Sequence, residues 1–249
     1  MELTLAALAF APGMAVGSFL NVVAARLPLG RPLVYPGSAC MSCSAPIAWY
    51  DNMPVLSYAL LRGRCRSCEA PISLRYPVVE LVTALLVAAC VLAFGLTAYA
   101  AVAAFFCVVL VAVSAIDLEH RIIPNRIVLP ATAIVLVART ALEPSPEWAL
   151  AAFGAFAFLF LAALAYPKGM GMGDAKLALL IGAALGASAA VALMLALLFA
   201  LVPSVVLLAR HGAAARKQAI PFGPFLGLGA VVALFAGPQV LDVYLGLFR

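Results

Sequence analysis

Apolar runs of membrane-crossing length, separated by short polar or Pro/Gly-rich breaks, fill most of this chain. A helix needs about 20 predominantly apolar residues to cross a bilayer. On that measure the runs at 3–24, 77–95, 98–116, 127–142, 148–165, 175–187, 188–209 and 222–238 predict eight spans. The sixth is short and carries Gly182 and Gly186, a small-xxx-small pair that lets helix backbones approach closely. It is expected to be broken or tilted. The first run follows Glu2 with no basic residue ahead of it, so it reads as a retained anchor and not as a secretory signal.

Composition agrees with this reading. With 67% hydrophobic residues, 10% charged residues and a mean hydropathy of +1.16, there is too little polar surface for a soluble globule. The fold class expected is an all-α polytopic membrane protein. Orientation follows from Lys and Arg. Alternating the loops places Arg26, Arg31, Arg62, Arg64, Arg66, Arg75, Arg121, Arg126, Lys168, Lys176, Arg210, Arg216 and Lys217 on one side, against Arg139 and Arg249 on the other. The positive-inside rule puts the crowded side in the cytoplasm and both termini outside. The net charge of +5 is therefore a topological signal and does not indicate nucleic-acid binding.

The chain divides into a first transmembrane helix (1–24), a cytoplasmic lobe (25–76) and a transmembrane bundle (77–249). The lobe holds CMSCSAPI (40–47) and CRSCEAPI (65–72), one pattern repeated 25 residues apart. Two C-x-x-C knuckles at this spacing suit a tetrahedral Zn²⁺ held by Cys40, Cys43, Cys65 and Cys68, a closed structural site with no position left for water. Two disulfides are the competing reading; they need an oxidising compartment, and the topology gives the reducing cytoplasm. Cys90 and Cys107 fall inside spans and read as small buried hydrophobes. Glu69 stands where such knuckles often have glycine, so the second turn is not assured.

Carboxylates at membrane depth are costly and mark function by default. Asp117 ends the third span and Asp174 begins the sixth, at the same depth on the cytoplasmic edge. Two carboxyls that meet cannot both ionise: one stays protonated while its partner takes a proton from water, as in aspartic proteolysis. Gly171 and Gly173 would let a substrate backbone come close to Asp174. An equally simple reading makes Asp174 a helix N-terminal acid and Asp117 an interfacial or capping acid, with Lys176 snorkelling to the headgroups. Glu80 opens the second span, either as a first-turn acid or as a functional group. Ser18 and Asn21 are placed to hydrogen-bond a neighbouring helix. His120 lies beside Asp117, and PFGPFLGLG (221–229) reads as an irregular start to the last span.

GSFLNVVAARLP (17–28), the paired knuckles, WYDNMPVLSY (49–58), LRGRC (61–65), RYPVVEL (75–81), IDLEHRIIPN (116–125), GMGMGDAKL (169–177) and PFGPFLGLG occur together and in order. In this the chain resembles the type IV prepilin leader peptidases, also called prepilin peptidase/N-methyltransferases, from its first span to its last. The resemblance implies a bacterial inner-membrane GxGD-type aspartic protease with catalytic Asp117, in a D-x₆-P pattern closed by Pro124, and catalytic Asp174. Its substrates would be type IV prepilins or type II secretion pseudopilins, cut on the cytoplasmic side after a glycine. The cysteine-bearing lobe matches the bifunctional members, which methylate the new N-terminal residue with S-adenosylmethionine. Glu80 sits in the family's R-Y-P-x-V-E pattern, which suggests a part in methyl transfer or in packing; contacts to the donor are otherwise unassigned.

Two rivals stay open at this stage. A transporter would use Asp117 and Asp174 as a proton relay, and a peptidase-only enzyme would keep the fold and lack methylation. A zinc-dependent membrane peptidase is disfavoured, because no H-E-x-x-H is present and His120 and His211 stand alone. No glycine-rich βαβ fingerprint for the methyl donor appears.

Overall fold

In the computed structural model, residues 2–166, 170–212 and 220–247 are described. Lys168, Gly169, Arg216, Lys217 and Arg249, used above for orientation or motif, lie outside these residues. Nine helices run through the described residues: α1 (Glu2–Arg26), α2 (Leu56–Leu60), α3 (Arg75–Phe94), α4 (Ala98–His120), α5 (Asn125–Leu142), α6 (Glu147–Ala165), α7 (Met172–Leu185), α8 (Ala189–His211) and α9 (Gly223–Gly246). Seven helical stretches are long and apolar enough to cross a membrane, Met172–His211 being one stretch of 40 residues. The chain is a multi-pass membrane protein.

The long stretch holds two crossings. It breaks at Gly186, which takes φ +57° and leads into a short 3-10 turn over Gly186–Ser188. Gly182 lies against Ala151 and Ala152, and Gly186 against Glu147 and Trp148, so α7 runs antiparallel to α6. Ser188 meets Gly237, while Ala192 and Ala196 meet Gly229, so α8 runs antiparallel to α9. Because α7 and α9 start at the same end of the bundle, as the site described below requires, α8 is a return crossing. This gives the eight long helices that the apolar runs predict. The sixth is continuous over its 14 residues, so of the two expectations, broken or tilted, it is not broken. Its turn is closed by Glu147, whose Oε1 accepts the Ala187 N–H at 2.9 Å.

The chain forms two compact units, Met1–Ala115 and Ile116–Arg249. In the second unit α7 is the central helix. Ten of its residues are buried, among them Leu177, Leu180 and Ile181, as expected of a helix apolar on every side and packed on α5, α6 and α9. Gly182 carries the packing role that the small-residue pair suggests: a Cβ there would meet the backbone of α6. The register of α7 on α6 places Asp174 near Leu159, so α6 continues about 9 Å beyond it at 1.5 Å per residue. The start of α7 is thus recessed into the bundle relative to the end of α6.

In the first unit α1 and α3 are antiparallel and in close contact. Cβ atoms at Gly13 and Gly17 would lie 2.8 Å and 2.6 Å from the Cα atoms of Ala84 and Glu80. Between them the chain makes the cysteine lobe. The sequence repeat is also a structural repeat: Ala39 bridges Pro46 and Arg64 bridges Pro71, each pair closing one knuckle. Within the knuckles Cys40 N–H donates to Ala45 and Cys65 N–H to Ala70, both at 2.9 Å. Ser44 and Glu69 occupy equivalent positions at φ +58° and +57°. Glu69 therefore adopts the left-handed turn that glycine would favour, and both knuckles close.

Candidate active site

Three helix ends build the site in the second unit. α4 stops when Arg121 turns left-handed at φ +54° and its N–H caps the Asp117 carbonyl at 2.9 Å. This leaves Asp117 in the last turn of α4, 5% exposed. Asp174 is the third residue of α7 and is 8% exposed. Its Oδ2 reaches back to the Gly171 N–H at 3.2 Å, the reciprocal half of a capping box. α9 supplies the third end: the Gly223 N–H donates to Asp117 Oδ2 at 2.9 Å in a buried bond. The two carboxylates lie within mutual electrostatic reach.

The arrangement is symmetric in chemistry. Each aspartate has its Oδ2 fixed by one glycine N–H, and among the described residues neither Oδ1 has a hydrogen-bond partner. The positive ends of α7 and α9 both point at the pair, offsetting the negative end of α4 beside Asp117. Asp174 thus has the capping position of the simpler reading and also a place in the pair.

Several sequence expectations change here. Gly173 does not open a path for substrate, because a Cβ there would sit 2.8 Å from Cβ of Ile123; its role is to let the segment after α4 pack on α7. The PFGPFLGLG stretch is not an irregular membrane segment. α9 is helical from Gly223, with Pro224 in its first turn where a missing N–H costs nothing. A Cβ at Gly223 would lie 2.7 Å from Asp117 Oδ2, so glycine is what admits the backbone donor. Lys176 Nζ donates to Asn125 Oδ1 at 3.0 Å. His120 faces Glu119 at 3.6 Å. The contribution of Gly223 was the feature missed in sequence, and its only signal was a glycine between two Pro-Phe steps.

In the first unit, the sulfurs of Cys40, Cys43, Cys65 and Cys68 all lie within 4.8 Å of one another, with Cys40 and Cys68 3.8 Å apart. A tetrahedral ion with metal–sulfur bonds of about 2.3 Å sets sulfurs about 3.8 Å apart, so this group could hold a metal ion. The Cys43 and Ser42 backbone N–H groups hold the Cys40 thiol down at about 6. For Cys68 the Ala70 N–H acts in the same direction, but the Cys43, Cys65 and Cys40 thiols together with desolvation outweigh it and push this thiol up to about 12. Four sulfurs this close stabilise one thiolate at the expense of another; a cation at their centre would remove that conflict. Beside the knuckles, Asp51 and Arg66 form a two-point ion pair at 2.6 Å and 2.7 Å that holds the Asp51 carboxyl below its ordinary range.

Glu80 is not a first-turn acid. It is the sixth residue of α3, 7% exposed, and its Oε2 accepts the N–H of Val55 at 2.8 Å. Val55 has φ +59°, a costly conformation for a β-branched residue, and this bond secures it. Asn21 bonds across to α3, as its place in α1 suggested: Nδ2 donates to the Tyr76 carbonyl at 3.1 Å. Cys90 and Cys107 are buried, with their sulfurs 3.9 Å apart.

Residues 12–94 match the Bacterial Peptidase A24 N-terminal domain, and residues 104–209 match the Type IV leader peptidase family. The chain is 35% identical over 243 residues to a prepilin leader peptidase/N-methyltransferase of Bacillus subtilis, covering 94% of this chain and 95% of that protein. A protein of the same name in Pseudomonas aeruginosa is 36% identical over 266 residues, covering 94% and 91%. A third, in Myxococcus xanthus, reaches 49% identity over 121 residues, covering 49% and 36%. No solved structure matches the chain. With likeness extending over nearly the whole chain and both family regions present in order, this protein belongs to the prepilin leader peptidase/N-methyltransferase family.

Proposed function

We propose that the chain is a bifunctional enzyme that cuts the leader from type IV prepilins or type II secretion pseudopilins and then N-methylates the exposed residue. The observation that carries the peptidase half is the pair of buried carboxylates, Asp117 and Asp174, each anchored through Oδ2 and each with Oδ1 free. Two such groups share one proton. The ionised member takes a proton from a water held between the free oxygens, and the water oxygen bonds to the scissile carbonyl carbon. The protonated member hydrogen-bonds the carbonyl oxygen as charge develops on it. Collapse breaks the C–N bond, the leaving nitrogen takes a proton, and the dyad returns to its shared-proton state.

The chain lies in a bacterial inner membrane in this reading, with lobe and dyad on the cytoplasmic side and both termini in the periplasm. A substrate helix in the bilayer then presents its leader junction near the recessed start of α7. The four cysteines hold Zn²⁺, which closes the lobe. S-adenosylmethionine, when bound, supplies an electrophilic methyl group to the new N-terminal amine. Purified protein incubated with a prepilin and S-adenosylmethionine should give, by intact mass, a leaderless product heavier by one CH₂. An unprocessed substrate overturns the peptidase reading, and a leaderless product without the added CH₂ overturns the methyl-transfer half. A proton transporter would show proton flux in liposomes and no cleavage.

Gly223→Ala tests how Asp117 is held. The added methyl cannot fit beside Oδ2, so the carboxylate must shift. A displacement of this size costs about 10²-fold in rate. It should appear in kcat for leader cleavage with little change in KM, because substrate binding is not the affected step. Gly229→Ala, which adds a methyl to α9 against the backbone of α8, serves as the packing comparison.

A further inference from the structure

A cavity of about 580 Å³ opens in the cysteine lobe where the end of α2 meets the second knuckle. Its wall carries Arg62, Arg64 and Arg66 against a single acid, Glu69, with Leu60 and Leu61 on the α2 side. Arg66 is set in place by Asp51, whose two oxygens accept from Nε and Nη2 at 2.7 Å and 2.6 Å. Among the described residues the side chains of Arg62 and Arg64 make no hydrogen bond or ion pair, and neither does that of Glu69. Two guanidinium groups therefore border the cavity without an anion. Their backbone is fixed. Arg62 takes φ +51° and Gly63 φ +68°, a left-handed pair that ends α2 with N–H bonds to the Ala59 and Tyr58 carbonyls. A Cβ at Gly63 would lie 2.8 Å from the Tyr58 hydroxyl, so the turn is packed down on α2. Arginine at the first of these positions holds a conformation that glycine would adopt without strain, and strain of this kind gathers at ligand clamps.

The cavity also lies close to where α3 enters the bilayer. Val55, at the head of α2, is bonded to Glu80, the sixth residue of α3. At 1.5 Å per residue, α2 (Leu56–Leu60) carries the chain no more than about 8 Å from that contact, and the headgroup layer is itself about 5–7 Å deep. Leu60 on the cavity wall is 73% exposed. Trp49, edge-on to Tyr50 beside the Asp51–Arg66 pair, is 80% exposed. Exposed aromatic and aliphatic groups next to arginines suit a membrane interface. Residues 25–76 as a whole hold six arginines and only two acids, Asp51 and Glu69, a balance that an anionic leaflet attracts. We propose that Arg62, Arg64 and Arg66 bind the phosphate of an anionic phospholipid headgroup, with Leu60 and Trp49 as its apolar rim. Guanidinium forks match phosphate oxygens two at a time. A lipid held there ties the lobe to the leaflet surface. The choice of lipid rests on the inner-membrane placement proposed above, and binding is measured apart from cleavage, so the two readings fail separately.

The test is native mass spectrometry of the purified full chain in detergent, titrated with dioctanoyl phosphatidylglycerol and, separately, with dioctanoyl phosphatidylcholine, which keeps the phosphate and has no net charge. Arg62→Gln/Arg64→Gln should weaken phosphatidylglycerol binding by at least about tenfold, the scale of two arginines at a lipid surface, and leave phosphatidylcholine binding unchanged. Arg62→Lys/Arg64→Lys keeps both charges and should retain most of the affinity, which a role in packing alone would not allow. Circular dichroism and thermal unfolding check that each variant is folded. If the double glutamine variant is not, Arg62→Gln alone, at an exposed side chain, should cost about fivefold. A smaller loss, an equal loss for both lipids, or a lysine pair as weak as the glutamine pair overturns the proposal, as does an unmodified chain that binds the two lipids alike. Equilibrium dialysis with radiolabelled inorganic phosphate separates the sources. Phosphate binding that is lost in the glutamine variant while phosphatidylglycerol binding stays would assign the arginines to a soluble phosphate and overturn the lipid.

Discussion

Asp117→Asn and Asp174→Asn are each expected to lower leader cleavage by about 10⁴-fold, the scale seen when one member of a catalytic unit is removed. Asparagine matches aspartate in shape, and its carbonyl oxygen can still accept the N–H of Gly223 or Gly171. What it cannot do is hold or take the shared proton. The fold should therefore survive while the chemistry stops, with the circular dichroism and thermal unfolding of each variant serving as the check on folding. The double variant should be no slower than either single one, because the two groups act as a unit. The measurement is kcat on a purified prepilin. If either variant keeps more than about one part in a hundred of the activity, the dyad is not the catalytic centre.

Both aspartates could be picked out from sequence because the cost of a carboxylate at membrane depth is local information. The cysteine repeat was legible for the same reason: each knuckle closes within eight residues, so its geometry follows from its own spacing. Features that depend on a second segment were not legible. Gly173 looked like an opening for substrate until Ile123 was found against it. Gly223 lies 106 residues from the carboxylate it serves, and the two prolines beside it suggested an irregular start to the span where there is a helix start. Glu147 stands in sequence between two spans with nothing to mark it, yet it caps the turn that lets α8 reverse. Glu80 looked like an acid at a helix start, but α3 begins five residues earlier, which moves it into the helix contact. In each case the burial or hydrogen bond that defines the role comes from a partner remote in sequence.

Removal of a metal held by the four cysteines should have an effect of comparable size on the lobe. Between Leu27 and Leu74 only Ser57 and Gly63 are buried, so this segment has almost no apolar core to hold it. Segments of this length without a core need a metal or disulfides, and the six cysteines are all free. The purified chain should therefore contain one zinc per molecule by elemental analysis. Stripping it with a chelator, or replacing the exposed ligands in Cys43→Ser/Cys68→Ser, should make the lobe sensitive to proteolysis while the transmembrane helices remain intact. Iron in place of zinc would keep the four-cysteine centre and overturn the choice of metal. A metal-free chain whose lobe still resists protease would show that the four sulfurs do not close the lobe through an ion.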